Sequence, residues 1–164
     1  MKLVVKNGFL LNQNQKYRCS IGYNGLTKKK YEGDGCTPVG TFKINKILYR
    51  PDKINCHEFS IDSQIIEERG GWCDDIKSDL YNQKIDFPFN YSAEHLYRSD
   101  DLYDIICIID YNLNPIIKSK GSAIFLHVAN DNFSPTHGCV AIKKDGLIQI
   151  ALNLKQDSTI TIDY

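Results

Sequence analysis

Short β-branched and aromatic runs, frequent Gly, Asn, Asp and Pro between them, and a single well-marked helical pattern predict a mainly β fold. The expected core is a β-sandwich or barrel-like sheet with one or two short helices packed on it. The strand-like runs are residues 3–5, 17–23, 41–47, 103–111, 124–129 and 159–164. In the last of these Ile160, Ile162 and Tyr164 alternate with Thr159, Thr161 and Asp163, the period of a half-buried strand. Asn24-Gly25 and Asp34-Gly35 mark turns, because these residue types tolerate positive φ. Leu147, Ile150, Ala151 and Leu154 share one face at helical spacing, which predicts a helix over 147–155 with Asp145 as its cap. A shorter helix is expected over 93–98, beginning near Ser92, while the polar stretch 54–90 gives no clear element.

The chain has 164 residues, the size of one domain, and no shift in composition divides it, so residues 1–164 are read as a single unit. Twenty basic side chains balance twenty acidic ones, which leaves no electrostatic source of attraction to nucleic acid. Lys28, Lys29 and Lys30 form the one basic run; with Glu32 and Asp34 beside them they read as a solvated turn. No apolar stretch approaches the roughly 20 residues that cross a bilayer, and the opening Met1-Lys2-Leu3-Val4-Val5-Lys6 shows no secretory signal. Six cysteines occur without a CxxC pair, and Cys107 lies inside the apolar run 105–109, so free thiols are expected.

Chemistry concentrates in 121–142, where two apolar segments flank a polar loop that ends in Thr136-His137-Gly138-Cys139. An antiparallel pairing of 125–129 with 137–140 about a turn near Phe133 sets His127 opposite Cys139, with Cβ atoms about 4.5 to 5.5 Å apart. An imidazole at that distance activates a thiol as a nucleophile and later returns its proton to a leaving amine. Gly138 lets a substrate carbonyl approach, and its backbone is a candidate oxyanion donor. The competing readings are a core histidine beside a packing cysteine, or a zinc site of His127, His137 and Cys139 completed by Asp131 or Cys73. The zinc reading lacks a paired ligand motif, so no metal and no cofactor are expected.

Thr136-His137-Gly138-Cys139 with the upstream His127 resembles the signature of the L,D-transpeptidase catalytic domain, or YkuD, family. The segment from Gly33 through Asp34-Gly35-Cys36-Thr37-Pro38-Val39-Gly40-Thr41-Phe42 is similar to that family's DGxTPxGxF turn and strand. Gly71-Trp72-Cys73-Asp74-Asp75, Tyr81-Asn82 and the run from Tyr97-Arg98 to Asp104 are similar to one branch of it. Many relatives carry Arg or Asn where Ala141 stands, and Gly, Ser or Thr where Val128 stands.

The resemblance implies an L,D-transpeptidase fold, with Cys139 as the acylated nucleophile, His127 as the base, His137 as a supporting residue and the backbone at Gly138 as the oxyanion site. Its implied partners are peptidoglycan stem peptides, a tetrapeptide donor and a diamino-acid acceptor, joined through a thioester on Cys139. Water in place of the acceptor makes an L,D-carboxypeptidase, and a non-catalytic peptidoglycan-binding domain is the alternative of another class. Thr136, Asp74, Asp75 and Arg98 are candidates for gripping such a zwitterionic substrate, against a plainer reading as loop caps and surface ion pairs. A monomer in the cell envelope is expected from that substrate.

Overall fold

In the computed structural model, which describes residues 1–13, 15–55 and 58–164, the chain opens with a three-stranded meander. It comprises β1 (Lys2–Lys6), β2 (Phe9–Asn12) and β3 (Gln15–Ser20). Leu3 and Val5 turn inward from β1, which pins its register, since a one-residue slip would put both in water. Asn7 and Gly8, with φ of 52° and 75°, make the two-residue turn between β1 and β2, a hairpin signal absent from the sequence expectations.

The chain continues through β4 (Leu26–Thr27), β5 (Thr37–Pro38), β6 (Gly40–Tyr49), β7 (Asp62–Ile65), β8 (Gly70–Cys73) and β9 (Lys84–Asp86). It then forms β10 (Ala93–His95), β11 (Ile105–Ile109), β12 (Phe125–Val128), β13 (Val140–Ile142), α1 (Lys144–Asn153) and β14 (Thr159–Ile162). The ten residues of β6 let it reach three partners, one of them β7, which runs parallel to it along residues 46–49. Its first half pairs with β14 and its second half with β11, so the circuit β11-β12-β13-β3-β2-β1-β14-β6 closes on itself. This barrel-like closure pairs edges that would otherwise be open.

β11 and β12 are buried on both faces. Ile105, Cys107, Ile109, Leu126 and Val128 join the main core with Val140, Ile142 and the buried face of α1. On the other side, Ile106, Ile108 and Phe125 pack with Leu48, Trp72, Tyr103 and Cys139 in a second cluster. Strand alternation therefore sends His127, two residues from Phe125, to that second side. β8, flanked by β9 and β10, forms a small sheet whose Trp72 packs edge-on against Phe125.

Three expectations are corrected. Residues 93–98 do not form a helix: 93–95 are β10, paired with β8, because Ala93 and His95 meet cross-strand partners in Cys73 and Gly71. The helix near 147–155 begins earlier, at Lys144, with Lys143 at its cap position and no side-chain cap; Asp145 lies in its first turn. The third correction is the pairing of β12 with β13, which is parallel, with His127 beside Ala141. The loop after β12 crosses over instead of turning back, and β13 slots between β12 and β3. The residues 159–162 do alternate as expected, whereas Tyr164 is exposed. No described helix is long and apolar enough to cross a membrane. Cys19, Cys36, Cys73, Cys107 and Cys139 are free thiols; Cys56 lies outside the described residues.

Candidate active site

The parallel pairing keeps the two central side chains on one face. By extension of the register, Cys139 falls beside Phe125 and His127 beside Ala141, so sulfur and imidazole are diagonal neighbours. Both line a cleft of about 590 Å³ between the second cluster and the loops at 30–35 and 134–137. Cys139 is 8% exposed and His127 5%, so both side chains sit at the floor of the cleft.

The sulfur has two backbone partners. Its thiol donates to the Ala123 carbonyl at 3.0 Å, and it accepts the Phe125 N–H at 3.3 Å. Ala123 has φ of 51°, a left-handed conformation uncommon for a side-chain-bearing residue, and strain of this kind tends to gather at functional sites. Burial pushes the Cys139 thiol up to about 12, the Glu94 carboxylate adds to the rise, and the Phe125 N–H and Lys30 oppose it. Burial likewise lowers His127 to about 4. The resting site is thus a neutral thiol beside a neutral imidazole.

His127 Nδ1 lies 2.8 Å from the Val128 carbonyl. A carbonyl only accepts, so Nδ1 carries the proton and Nε2 keeps the lone pair that a base needs. The Tyr103 ring stands edge-on to the imidazole at 5.2 Å. The orientation of the imidazole therefore comes from backbone, and Val128 serves through its carbonyl while its side chain packs in the main core.

The remaining sequence candidates separate. His137 is exposed at the cleft mouth, edge-on to Tyr23 at 5.6 Å. Gly138 has φ of +144° and packs so closely on the Cys36 carbonyl that a Cβ would lie 2.9 Å from that oxygen. Its N–H donates to Thr136 Oγ1 at 3.1 Å, and the same hydroxyl donates to the Cys139 carbonyl at 2.7 Å. Thr136 thus shapes the turn that leads into Cys139, and the Gly138 N–H is already engaged. Asp74 and Arg98 line the cleft. Asp74 Oδ1 is buried without a partner, and Arg98 holds Asp100 through two bonds of 2.8 and 2.6 Å. Asp75 is a loop cap: its carboxylate accepts the N–H groups of Lys77 and Ser92, away from the cleft. Among the described residues no group of three His, Cys, Asp or Glu side chains converges as a metal site.

Several site residues escaped the sequence reading. Glu94 accepts the Tyr103 hydroxyl at 2.5 Å, and burial raises its carboxyl above the usual range. Lys30, expected in a solvated turn, is 6% exposed and pairs with Asp34 at 2.6 Å; only Lys28 and Lys29 are in water. The four-residue spacing of Lys30 and Asp34 was the available signal. The irregular region also serves the site. Asn82 accepts both the Trp72 and Ala123 N–H groups at 3.0 Å, which ties β8 to the strained residue under the sulfur. Tyr81 accepts the Gly121 N–H and donates to Glu32.

A closed β fold carries a buried histidine on β12 and a buried cysteine just before β13, both opening into one cleft, an arrangement that suits a cysteine nucleophile. The chain belongs to the L,D-transpeptidase catalytic domain family, YkuD, whose model matches residues 2–162. No protein with a curated description matches it at a significant level.

Proposed function

We propose that this protein is a peptidoglycan L,D-transpeptidase that works through a thioester on Cys139. The observation that carries the reading is the shared cleft floor, where the Cys139 sulfur and a His127 ring held with Nε2 unprotonated face the same space. In the first step the Cys139 proton passes to His127 Nε2 as sulfur bonds to the carbonyl carbon of the third stem residue. The carbon–nitrogen bond to the terminal D-alanine then breaks, and His127 gives that proton to the departing amine. The amine of a second stem's diamino acid attacks the thioester, loses a proton to His127, and leaves a cross-link and a free thiol. Water in that second step yields the trimmed stem and makes the outcome an L,D-carboxypeptidase.

Neutral resting partners suit this order of events, because proton transfer accompanies attack and Cys139 and His127 do not have to be held as a buried ion pair beforehand. Support for a zwitterionic substrate comes from the cleft lining, which presents Asp74 and Glu94 as well as Lys30 and Arg98. A substrate of this kind places the protein's work in the cell envelope, where it acts as a monomer. Intact-mass measurement after incubation with a carbapenem is expected to show one covalent adduct, absent from Cys139→Ala. Equal labelling of that variant, or no adduct on the wild type, contradicts the proposal. Defined tetrapeptide muropeptides, with and without an acceptor stem, then distinguish cross-linking from hydrolysis.

A further inference from the structure

Addition of a thiol to a carbonyl creates negative charge on oxygen, and a site must aim donors at it. One backbone donor of the glycine turn is spent, since the Gly138 N–H binds Thr136 Oγ1. Beside this turn lies a buried ammonium. Lys30 Nζ lies 3.5 Å from where a Gly138 Cβ would stand, and it lines the cleft with Cys139.

The placement of that ammonium is built. A Cβ on Gly121, whose φ is +96°, would lie 2.8 to 3.1 Å from Lys30 Cε, Cγ and Cδ, so the bare glycine makes the channel for the lysine stem. Asp34 fixes the other end. One carboxylate oxygen accepts Lys30 Nζ at 2.6 Å and the Cys36 N–H at 2.9 Å, and the other accepts the Tyr31 N–H at 3.0 Å. Glu32 on the same loop receives the Tyr81 hydroxyl, which also takes the Gly121 N–H. Asp34 uses one of the three ammonium protons, and burial removes the water that would screen the rest.

We propose that Lys30 is a catalytic residue whose ammonium donates a hydrogen bond to the oxyanion formed when Cys139 adds to the substrate carbonyl. This rests on the reading of Cys139 as an acylated nucleophile. As the sulfur–carbon bond forms, the carbonyl π pair moves to oxygen and meets Lys30. The pair returns to carbon when the amine leaves, and Lys30 stays protonated throughout. Its proximity also favours the Cys139 thiolate, opposing the rise that burial imposes on that thiol.

The test compares two reactions of Cys139 that need no stem peptide. Carbamidomethylation by iodoacetamide passes through the thiolate alone and expels iodide, whereas acylation by p-nitrophenyl acetate passes through an oxyanion. Lys30→Met is expected to slow acylation about 100-fold more than it slows alkylation, with Lys30→Arg recovering part of the difference. Because an unpaired Asp34 threatens folding, the double variant Lys30→Met/Asp34→Asn is measured beside it, with the thermal melt as the check. Equal slowing of the two reactions in the folded variants, or none in either, overturns the assignment. Acylation of the wild type by the ester but not by stem tetrapeptides would sink the transpeptidase reading and leave the Lys30 result standing.

Discussion

At the residue scale, the site pairs a thiol raised to about 12 with an imidazole lowered to about 4, both by burial. Thiolate grows as pH rises towards the thiol's pKa, so from pH 6 to 9 the fraction climbs about tenfold per unit with no plateau. The expected result is that iodoacetamide alkylation of Cys139, followed peptide by peptide, rises steadily across that range. A plateau near pH 7 would mean a preformed thiolate–imidazolium pair and contradict this picture. Cys139 and His127 were legible in the sequence as candidates from Thr136-His137-Gly138-Cys139 and its upstream histidine, and the structure brings both to one cleft. Their protonation states were not, because these depend on desolvation by Phe125, Tyr103 and the loops above them.

At the element scale, the crossover from β12 to β13 sets the geometry. Thr136 anchors it: its N–H donates to the Ile21 carbonyl, its carbonyl accepts the Tyr23 N–H, and its hydroxyl spans Gly138 and Cys139. Thr37, from the second sequence motif, donates to the Cys139 carbonyl at 3.5 Å and accepts the Gly22 N–H at 2.8 Å. Both motifs therefore converge on one turn. Gly138→Ala puts a methyl 2.9 Å from the Cys36 carbonyl at a φ of +144°, and strain with overpacking is expected to cost roughly 3 kcal/mol or more. Urea denaturation would measure it, and a loss below about 1 kcal/mol would show that the turn relaxes freely. The sequence suggested an antiparallel return because two apolar runs around a polar loop look alike in either direction. Which neighbour β13 finds depends on β3, far away in the chain.

At the scale of the whole molecule, the barrel-like circuit places one strand, β11, between two cores, so the site shares its support with the fold. Ile106 is wholly buried, pairs across strands with His127 and Leu48, and packs in the cluster that contains Cys139. Ile106→Ala is expected to cost about 2 to 5 kcal/mol and to slow acylation of Cys139, because the cavity opens beneath the imidazole's strand. A urea midpoint shift worth less than about 1 kcal/mol would show that this cluster collapses around the loss.

The sequence by itself determined the mainly β class, the C-terminal helix, the buried character of 105–109 and the choice of Cys139 and His127 as the candidate nucleophile and base. These follow from short-range pattern and from side-chain chemistry, which a chain carries before it folds. Tertiary structure alone decided the parallel register beside His127, the burial of Lys30 within a run of lysines, and the exclusion of Asp75 from the cleft. Each of these is a matter of which distant segment arrives alongside, and water, dielectric and available partners at a side chain are fixed only when that neighbour is in place.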